Sequence, residues 1–316
     1  MLDRRQALGL TALGLMLPGL ALAADEPTAE TLRLWPGAAP GGEAVTVTPE
    51  VIERSTDPGY HDRIAKHTRD PLLTVVRPAQ ANGVSLLLIP GGGYRWAVVD
   101  KEGMDCAQVF AAMGYTCYVL RYRLPADDWA AGPDAPLQDA QRALRLVRGQ
   151  ALAEGRSPEQ VVVLGASAGG HLAGLLGARR DATYAAVDAL DDASHRPDAL
   201  VLLYPVATLA DPFAHAGSRR ELLGENPSPD RIAAYSLEQM DWQGAAPTFL
   251  LHAMDDTAVP VENSLMLADT LRRDAVPVEM HLFEEGGHGF GIRLIEGRPA
   301  AVWPQLVQGW LDRRGL

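Results

Sequence analysis

The sequence contains few cysteines and no closely spaced set of metal-binding residues. Its 316 residues include only Cys106 and Cys117, which excludes a disulfide scaffold and a cysteine-rich metal site. The histidines and cysteines form no H-x-x-x-H or C-x-x-C pair, so we expect no metal and no cofactor. The sequence allows a disulfide between the two cysteines, but it favours two buried free thiols because buried cysteine is common.

Positive charge is also scarce. The chain has 28 Lys and Arg against 40 Asp and Glu, which gives a formal net charge of −12. A nucleic-acid partner requires a basic face, so this balance argues against one. The 47% hydrophobic and 22% charged residues are typical of a folded globular protein, and glycine and proline stay below the share found in low-complexity chains.

A long hydrophobic run occurs only at the N-terminus. Arg4 and Arg5 precede an apolar run over 7–22 that ends in small residues, which predicts a signal peptide over 1–23. The remainder, 24–316, is then exported to the periplasm or secreted. The arginine pair resembles a twin-arginine signal; a Sec signal and an uncleaved membrane anchor are the alternatives, and only the anchor would bring the protein to a membrane.

The middle of the chain alternates apolar strands with helices. The clearest predicted strands are Val84–Ile89, Thr116–Arg121, Val161–Leu164, Ala199–Leu203, Thr248–His252 and Val278–Phe283, and the predicted helices are Met104–Met113, Leu137–Gly149, His171–Arg179 and Val261–Asp274. Alternation of this kind predicts an α/β fold, with a mostly parallel central sheet and helices on both faces. We interpret 24–316 as one domain.

One segment interrupts the alternation. Residues 206–244 are polar, contain three prolines and show only weak helical periodicity. Such a segment fits a short cap inserted over the strand ends better than a separate domain.

The stretch Gly165-Ala166-Ser167-Ala168-Gly169 follows a predicted strand and opens a helix. This is the G-x-S-x-G pattern of a nucleophile elbow, in which a sharp turn exposes the serine hydroxyl. The pattern predicts Ser167 as a nucleophile. The alternative is a glycine-rich turn that serves only packing.

A second glycine-rich turn, Pro90-Gly91-Gly92-Gly93-Tyr94, follows the strand that ends at Ile89. Consecutive glycines let backbone N–H groups approach a substrate oxygen closely. We expect an oxyanion hole made by the N–H groups of Gly92, Gly93 and Ala168. A phosphate-binding loop is the weaker alternative, because the turn lacks the lysine and the glycine spacing of such loops.

An acid and a base are expected later in the chain, in that order. Asp256 follows the strand Thr248–His252, and Asp255 is its immediate rival. His288 lies between glycines after the last predicted strand, in a loop from which an imidazole can reach a serine. His171 and His252 are interpreted as supporting residues, and the other histidines have no catalytic context.

These motifs resemble the α/β-hydrolase superfamily, and most closely its esterase branch of bacterial acetyl xylan esterases and feruloyl-esterase-like (BD-FAE-like) hydrolases. The resemblance rests on the two glycine-rich turns, on Lys101-Glu102-Gly103, on Tyr122-Arg123-Leu124-Pro125, and on 256–264 with Gly287-His288-Gly289. It implies the three-layer α/β-hydrolase fold and places 218–224 in a cap that shapes the substrate pocket. Many relatives have His where Pro90 stands.

The resemblance also implies the reaction and the class of substrate. We expect a serine esterase that acts through a Ser167–Asp256–His288 triad and an acyl-enzyme, on a short-chain acyl ester such as an acetylated carbohydrate. Five aromatic residues in predicted loops are candidates for stacking on a sugar: Tyr94, Trp96, Trp129, Tyr235 and Trp242. The alternatives are a prolyl-oligopeptidase-type peptidase, a long-chain lipase and a non-catalytic binding protein.

Overall fold

A computed structural model describes residues 30–316. The signal peptide predicted over 1–23 lies outside this range. Within it, the strands are β1 (Thr31–Arg33), β2 (Glu50–Glu53), β3 (Arg63–Lys66), β4 (Leu72–Val76), β5 (Ser85–Ile89), β6 (Ala97–Val98), β7 (Thr116–Arg121), β8 (Val161–Ala166), β9 (Ala199–Leu203), β10 (Thr248–Ala253) and β11 (Val278–Phe283). The α-helices are α1 (Asp105–Ala112), α2 (Ala135–Ala153), α3 (Ala168–Ala178), α4 (Ala216–Leu223), α5 (Pro229–Tyr235), α6 (Glu262–Arg273) and α7 (Trp303–Asp312).

Eight strands form a central sheet in the order β1-β4-β7-β5-β8-β9-β10-β11. The pairs from β7 to β11 are parallel, whereas β1 and β4 run antiparallel to their neighbours. All six predicted strands are present, so the predicted mostly parallel α/β sheet is confirmed. A separate antiparallel sheet, β2-β3-β6, was not predicted, because its strands are short and β2 is exposed.

Helices cover both faces of the sheet, and the alternation of side chains along each strand explains why. In β5, Leu87 and Ile89 pack in one core cluster with α2, α3 and α6, whereas Leu86 and Leu88 pack in another with α1 and α7. A strand with apolar neighbours on both faces is almost continuously hydrophobic. This explains the short apolar runs in the sequence.

The segment over 206–244 holds α4 and α5, so it is more helical than its weak periodicity indicated. Ser228 caps the N-terminus of α5 by accepting a hydrogen bond from the N–H of Arg231. His215 does the same for α4 through the N–H of Ser218. Local capping therefore stabilises these short helices where hydrophobic periodicity is weak.

Both cysteines are buried and free, as expected. Burial raises the pKa of both thiols well above the usual value, which keeps them protonated and unreactive. No helix within residues 30–316 is long and apolar enough to cross a membrane.

A buried ion pair fixes the chain after β7. Arg123 and Asp139 are both fully buried, and Asp139 accepts hydrogen bonds from the Arg123 backbone N–H and guanidinium at 2.8–3.0 Å. The Trp35 indole N–H donates to the same carboxylate at 2.9 Å. The neighbouring Tyr122 hydroxyl donates to the carbonyl of Pro90 at 2.8 Å, so this part of the chain also supports the glycine-rich turn over 90–94.

We expect Asp139→Asn to lower the free energy of unfolding by about 3–5 kcal/mol, because it leaves the buried Arg123 guanidinium without a counter-charge. Urea denaturation followed by circular dichroism measures this loss. Asp269→Asn removes the carboxylate of an exposed pair with Arg272 and should leave the midpoint unchanged. Equal shifts for the two variants would contradict the structural role of the Arg123–Asp139 pair.

Candidate active site

Ser167 lies in the turn between β8 and α3. Its backbone adopts φ +55° and ψ −121°, a conformation that is strained for any residue with a side chain. Glycines on either side allow this turn: a Cβ on Gly165 or on Gly169 would overlap backbone atoms, those of Gly169 in the first case and of Ile89 and Pro90 in the second. At the elbow, the start of α3 therefore packs in direct contact with the end of β5.

Ser167, His288 and Asp256 come together at the carboxyl edge of the sheet. The Oγ of Ser167 lies 2.8 Å from Nε2 of His288, and Nδ1 of His288 lies 2.7 Å from Oδ2 of Asp256. Since the Asp256 carboxylate is an acceptor, His288 carries its proton on Nδ1 and presents a bare Nε2 to the serine hydroxyl. This is the arrangement in which an imidazole can accept the proton of Ser167.

Asp256 is surrounded by hydrogen-bond donors. Its Oδ1 accepts the N–H groups of Ala258 and Val259 at 2.9 Å each, and its Oδ2 also accepts from Nε2 of His252 at 3.2 Å. Burial raises the pKa of this carboxyl, but the bonds from His252 and His288 outweigh burial and hold the pKa well below its usual value. Asp256 is thus a stable anion beside the imidazole.

His252 supports Asp256, as the sequence predicted. Its Nε2–H points at Asp256 and at the carbonyl of Val259 (3.0 Å), while its Nδ1 accepts from the Ser264 hydroxyl at 2.7 Å. The rival acid, Asp255, is engaged elsewhere. One of its carboxylate oxygens accepts the N–H groups of Gly286 and Gly287 at 2.9 and 2.7 Å, which anchors the loop that carries His288.

The glycine-rich turn over 90–94 lies beside Ser167. A Cβ on Gly91 would come within 2.8 Å of the Ser167 Cβ, so only glycine fits there. Gly92 and Gly93 have φ of +123° and +65°. Their N–H groups and that of Ala168, the first residue of α3, donate to no acceptor within the described part of the chain. Three free donors thus surround the serine.

A buried carboxylate that belongs to one of the resemblance motifs, but for which the sequence predicted no role, joins the loops of the site. Glu102 is 3% exposed; its Oε2 accepts the N–H of Gly91 at 2.9 Å and its Oε1 the hydroxyl of Tyr204 at 3.2 Å. The same hydroxyl accepts the N–H of Gly291 at 3.1 Å, and the Tyr204 ring packs edge-on against His288. Glu102 and Tyr204 therefore tie the glycine turn to the histidine loop.

His171 is a second buried connector, which confirms its interpretation as a supporting residue. Its Nε2 lies 2.7 Å from the carbonyl of Tyr235, so it carries the proton, and its Nδ1 accepts from the Tyr94 hydroxyl at 2.7 Å. Burial lowers the pKa of His171 to about 4, against the smaller opposite effect of the Tyr235 bond. The neutral imidazole joins α3, the glycine turn and α5.

The predicted sugar-stacking residues are mostly buried. Trp96 lines the cavity at Ser167, but Tyr94, Trp129, Tyr235 and Trp242 are at most 8% exposed and do not line it. Their rings are used inside the protein: Tyr94 bonds His171, and Trp129 packs against the Arg123 guanidinium. The prediction is wrong for these four residues, because a buried ring has no free face for a sugar.

The cavity beside Ser167 has a volume of about 310 Å³. Ser167 and His288 line it together with Gly92 and Gly93, and Gly217, Arg220 and Glu221 of α4 form part of its wall, so the predicted cap segment does contribute to the pocket. His215, which has no catalytic context in the sequence, also lines it. No group of three or more metal-binding side chains within residues 30–316 is arranged to hold an ion.

A model of the BD-FAE family matches residues 73–271, more than half of the chain. The chain belongs to the BD-FAE family. The matched region is an esterase domain of the α/β-hydrolase fold, and it includes Ser167 and Asp256 but ends before His288.

Individual relatives agree with this family. An acetyl ester-xyloside bifunctional hydrolase from Caldicellulosiruptor lactoaceticus shares 33% identity, with a TM-score of 0.71 over 93% of this chain and 99% of that one. Endo-1,4-beta-xylanase B of Butyrivibrio fibrisolvens is 34% identical over 66% of this chain and 32% of its own length. Acetylxylan esterase of Xylanibacter ruminicola is 27% identical over 68% and 42%. The chain thus spans less than half of these two curated relatives.

We expect Asp256→Asn to lower kcat for a 4-nitrophenyl ester by about 10⁴-fold, because an amide does not hold His288 in the required tautomer. Asp255→Asn is the matched control: its amide oxygen still accepts the N–H groups of Gly286 and Gly287, so kcat should stay within about tenfold of the wild type. Steady-state kinetics at neutral pH measures both. A larger loss of kcat in Asp255→Asn than in Asp256→Asn would identify Asp255 as the acid instead.

The buried His171 should make stability depend on pH. Its pKa of about 4 in the folded state is below the unfolded value of 6.5, so its contribution to stability is complete above about pH 6.5 and is lost as the pH falls towards 4. Between pH 7.5 and 5.0 the wild type should lose about 2 kcal/mol more than His171→Gln in urea denaturation. The exposed-histidine variant His61→Gln should keep the wild-type dependence; equal pH dependence in all three proteins would contradict the assignment.

Proposed function

We propose that this protein is an exported serine esterase that hydrolyses short-chain acyl esters, acetyl esters of carbohydrates among them. The observation that carries the proposal is the hydrogen-bonded chain from Ser167 through His288 to Asp256, at 2.8 and 2.7 Å, beside three free backbone donors. In an esterase domain of this family, that arrangement has the parts that acyl transfer through a serine requires.

The proposed reaction begins when the Ser167 oxygen attacks the ester carbonyl and its proton moves to Nε2 of His288. The carbonyl oxygen becomes an anion, held by the N–H groups of Gly92, Gly93 and Ala168. The bond to the alcohol oxygen breaks, the alcohol takes the proton from His288, and an acyl-Ser167 ester remains. Asp256 stabilises the imidazolium throughout.

Water then repeats the sequence. His288 accepts a proton from the water as its oxygen attacks the acyl-enzyme, and returns that proton to the Ser167 oxygen when the acid leaves. The position of Ala168 at the first turn of α3 adds the positive end of the helix dipole to the oxyanion site. No external acid or base is required, since one imidazole serves both half-reactions.

Two observations support a small acyl group. The cavity of about 310 Å³ is at the lower end of the range for ligand pockets, and residues of α4 close one side of it. The names of two relatives also refer to acetyl esters: an acetylxylan esterase and an acetyl ester-xyloside hydrolase. Export is proposed from the N-terminal sequence alone, through a signal peptide over 1–23.

We expect Ser167→Ala to lower the hydrolysis of 4-nitrophenyl acetate by at least about 10⁴-fold, because the nucleophile is removed while the fold is kept. Ser157→Ala, at an exposed serine away from the cavity, is the control and should retain full activity. Equal rates for wild type and Ser167→Ala would refute the role of Ser167. Release of acetate from acetylated xylan but not of amine from peptide amides would identify the leaving group as an alcohol.

A further inference from the structure

Two positively charged side chains in the wall of the cavity have no partner of opposite charge. Arg95 and Lys101 both line the pocket, and neither has a carboxylate within 4 Å in the part of the chain that the structure describes. The third cation of the wall, Arg220, differs from them, since Glu221 and Glu225 lie 3.4 and 3.8 Å away. Among the three cations of the described wall, Arg95 and Lys101 are thus the two without an ion pair.

Lys101 is unusual in identity as well as in position. The sequence has only two lysines, Lys66 and Lys101, among its 28 basic residues. Lys101 lies in a π-helical turn, Asp100–Met104, and its Nζ comes within 3.5 Å of the position that a Cβ would take on Gly289. Because Gly289 directly follows His288, the ammonium lies at the edge of the proposed catalytic triad.

Two carboxylates, Glu102 and Glu221, also line the cavity, but neither forms an ion pair with Lys101 or Arg95. Glu102 uses one oxygen for the N–H of Gly91 and the other for the Tyr204 hydroxyl, and it is nearly inaccessible to solvent. Glu221 lies beside Arg220. Burial lowers the pKa of His215, so this imidazole is neutral and adds no charge at neutral pH. In a chain with a net charge of −12, Lys101 and Arg95 therefore stay without an ion-pair partner in the cavity of the candidate nucleophile.

Lys101 is half-buried, so an arriving anion would attract its ammonium more strongly than it would attract a fully solvated one. The guanidinium of Arg95 lies 5.1 Å from the centre of the Trp96 ring, which holds it at the mouth of the pocket. Its planar N–H groups match a carboxylate, sulfate or phosphate, whereas the ammonium acts as a point charge.

We propose that Lys101 and Arg95 bind an anionic group, such as a carboxylate, on the alcohol part of the substrate. The preferred esters then carry a small neutral acyl group at Ser167 and a negative charge a short distance beyond the ester oxygen. This inference rests on the proposed esterase function and specifies the substrate class of that site.

The test compares two esters that differ in one charge, 4-acetoxybenzoate and its methyl ester, methyl 4-acetoxybenzoate. The kcat/KM of each is divided by its rate constant for hydrolysis by hydroxide, which corrects for the different leaving groups. We expect the wild type to prefer the carboxylate ester by about 5-fold or more at low ionic strength. In 0.5 M NaCl the preference should fall, because salt screens the attraction.

Variants assign the preference to the two residues. Lys101→Gln should lower the ratio of the two corrected kcat/KM values by about 3- to 10-fold, and Lys101→Arg should retain most of it. Arg95→Gln, at an exposed position where folding is not at risk, should lower the ratio as well. Lys66→Gln removes the other lysine, outside this cavity, and should leave the ratio unchanged.

The possible failures are distinguishable. Hydrolysis of both esters by the wild type, dependent on Ser167 but without preference for the charged one, would overturn this inference and leave the esterase function intact. An equal fall of the ratio in Lys66→Gln and Lys101→Gln would also overturn it, because the effect would then come from overall charge. Hydrolysis of neither ester would overturn the proposed function together with this inference.

Discussion

The site depends on how closely helix α3 approaches the end of strand β5. Gly169 packs directly against the carbonyl groups of Ile89 and Pro90, and Gly91 packs directly against Ser167. A methyl group at either glycine would collide with backbone atoms, which cannot move without displacing a buried strand. This contact brings the serine hydroxyl and the free N–H groups of the glycine turn to one small volume.

Hydrogen bonds to buried side chains then hold the surrounding loops to that contact. Glu102 reaches the glycine turn and, through Tyr204, the loop of His288. His171 reaches the same turn through Tyr94 and α5 through the carbonyl of Tyr235. Each connector is a polar group in an apolar environment, where an unsatisfied donor or acceptor is costly. Separating the loops would leave these buried donors and acceptors unsatisfied, so hydrogen bonding holds the loops together in addition to packing.

Much of this arrangement follows from the sequence, because its signals are local. The elbow and the glycine turn are short patterns placed after buried strands, and chain order predicts an acid and then a base at the ends of later strands. The choice between Asp255 and Asp256 depends on which carboxylate points at the imidazole. Only the structure shows that Asp255 binds the N–H groups of Gly286 and Gly287 instead.

Contacts between distant residues could not be predicted in this way. Glu102 and Tyr204 are 102 positions apart and have no common pattern, and the burial of Tyr94 and Trp242 depends on side-chain direction within loops. The short strands of the sheet β2-β3-β6 were missed because they are polar or only two residues long. In each case the deciding partner comes from another part of the chain.

The loop that carries His288 is rich in glycine, so its backbone has much conformational freedom in the unfolded chain. Gly287, Gly289 and Gly291 all have positive φ, and each glycine loses more backbone freedom on folding than another residue would. The order of this loop relies on its bonds to Asp255 and to the Tyr204 hydroxyl and on Phe290, whose fully buried ring joins the core cluster beneath it. Local opening of the loop therefore requires the loss of these hydrogen bonds and the exposure of one aromatic ring, whereas unfolding of the sheet exposes the whole core.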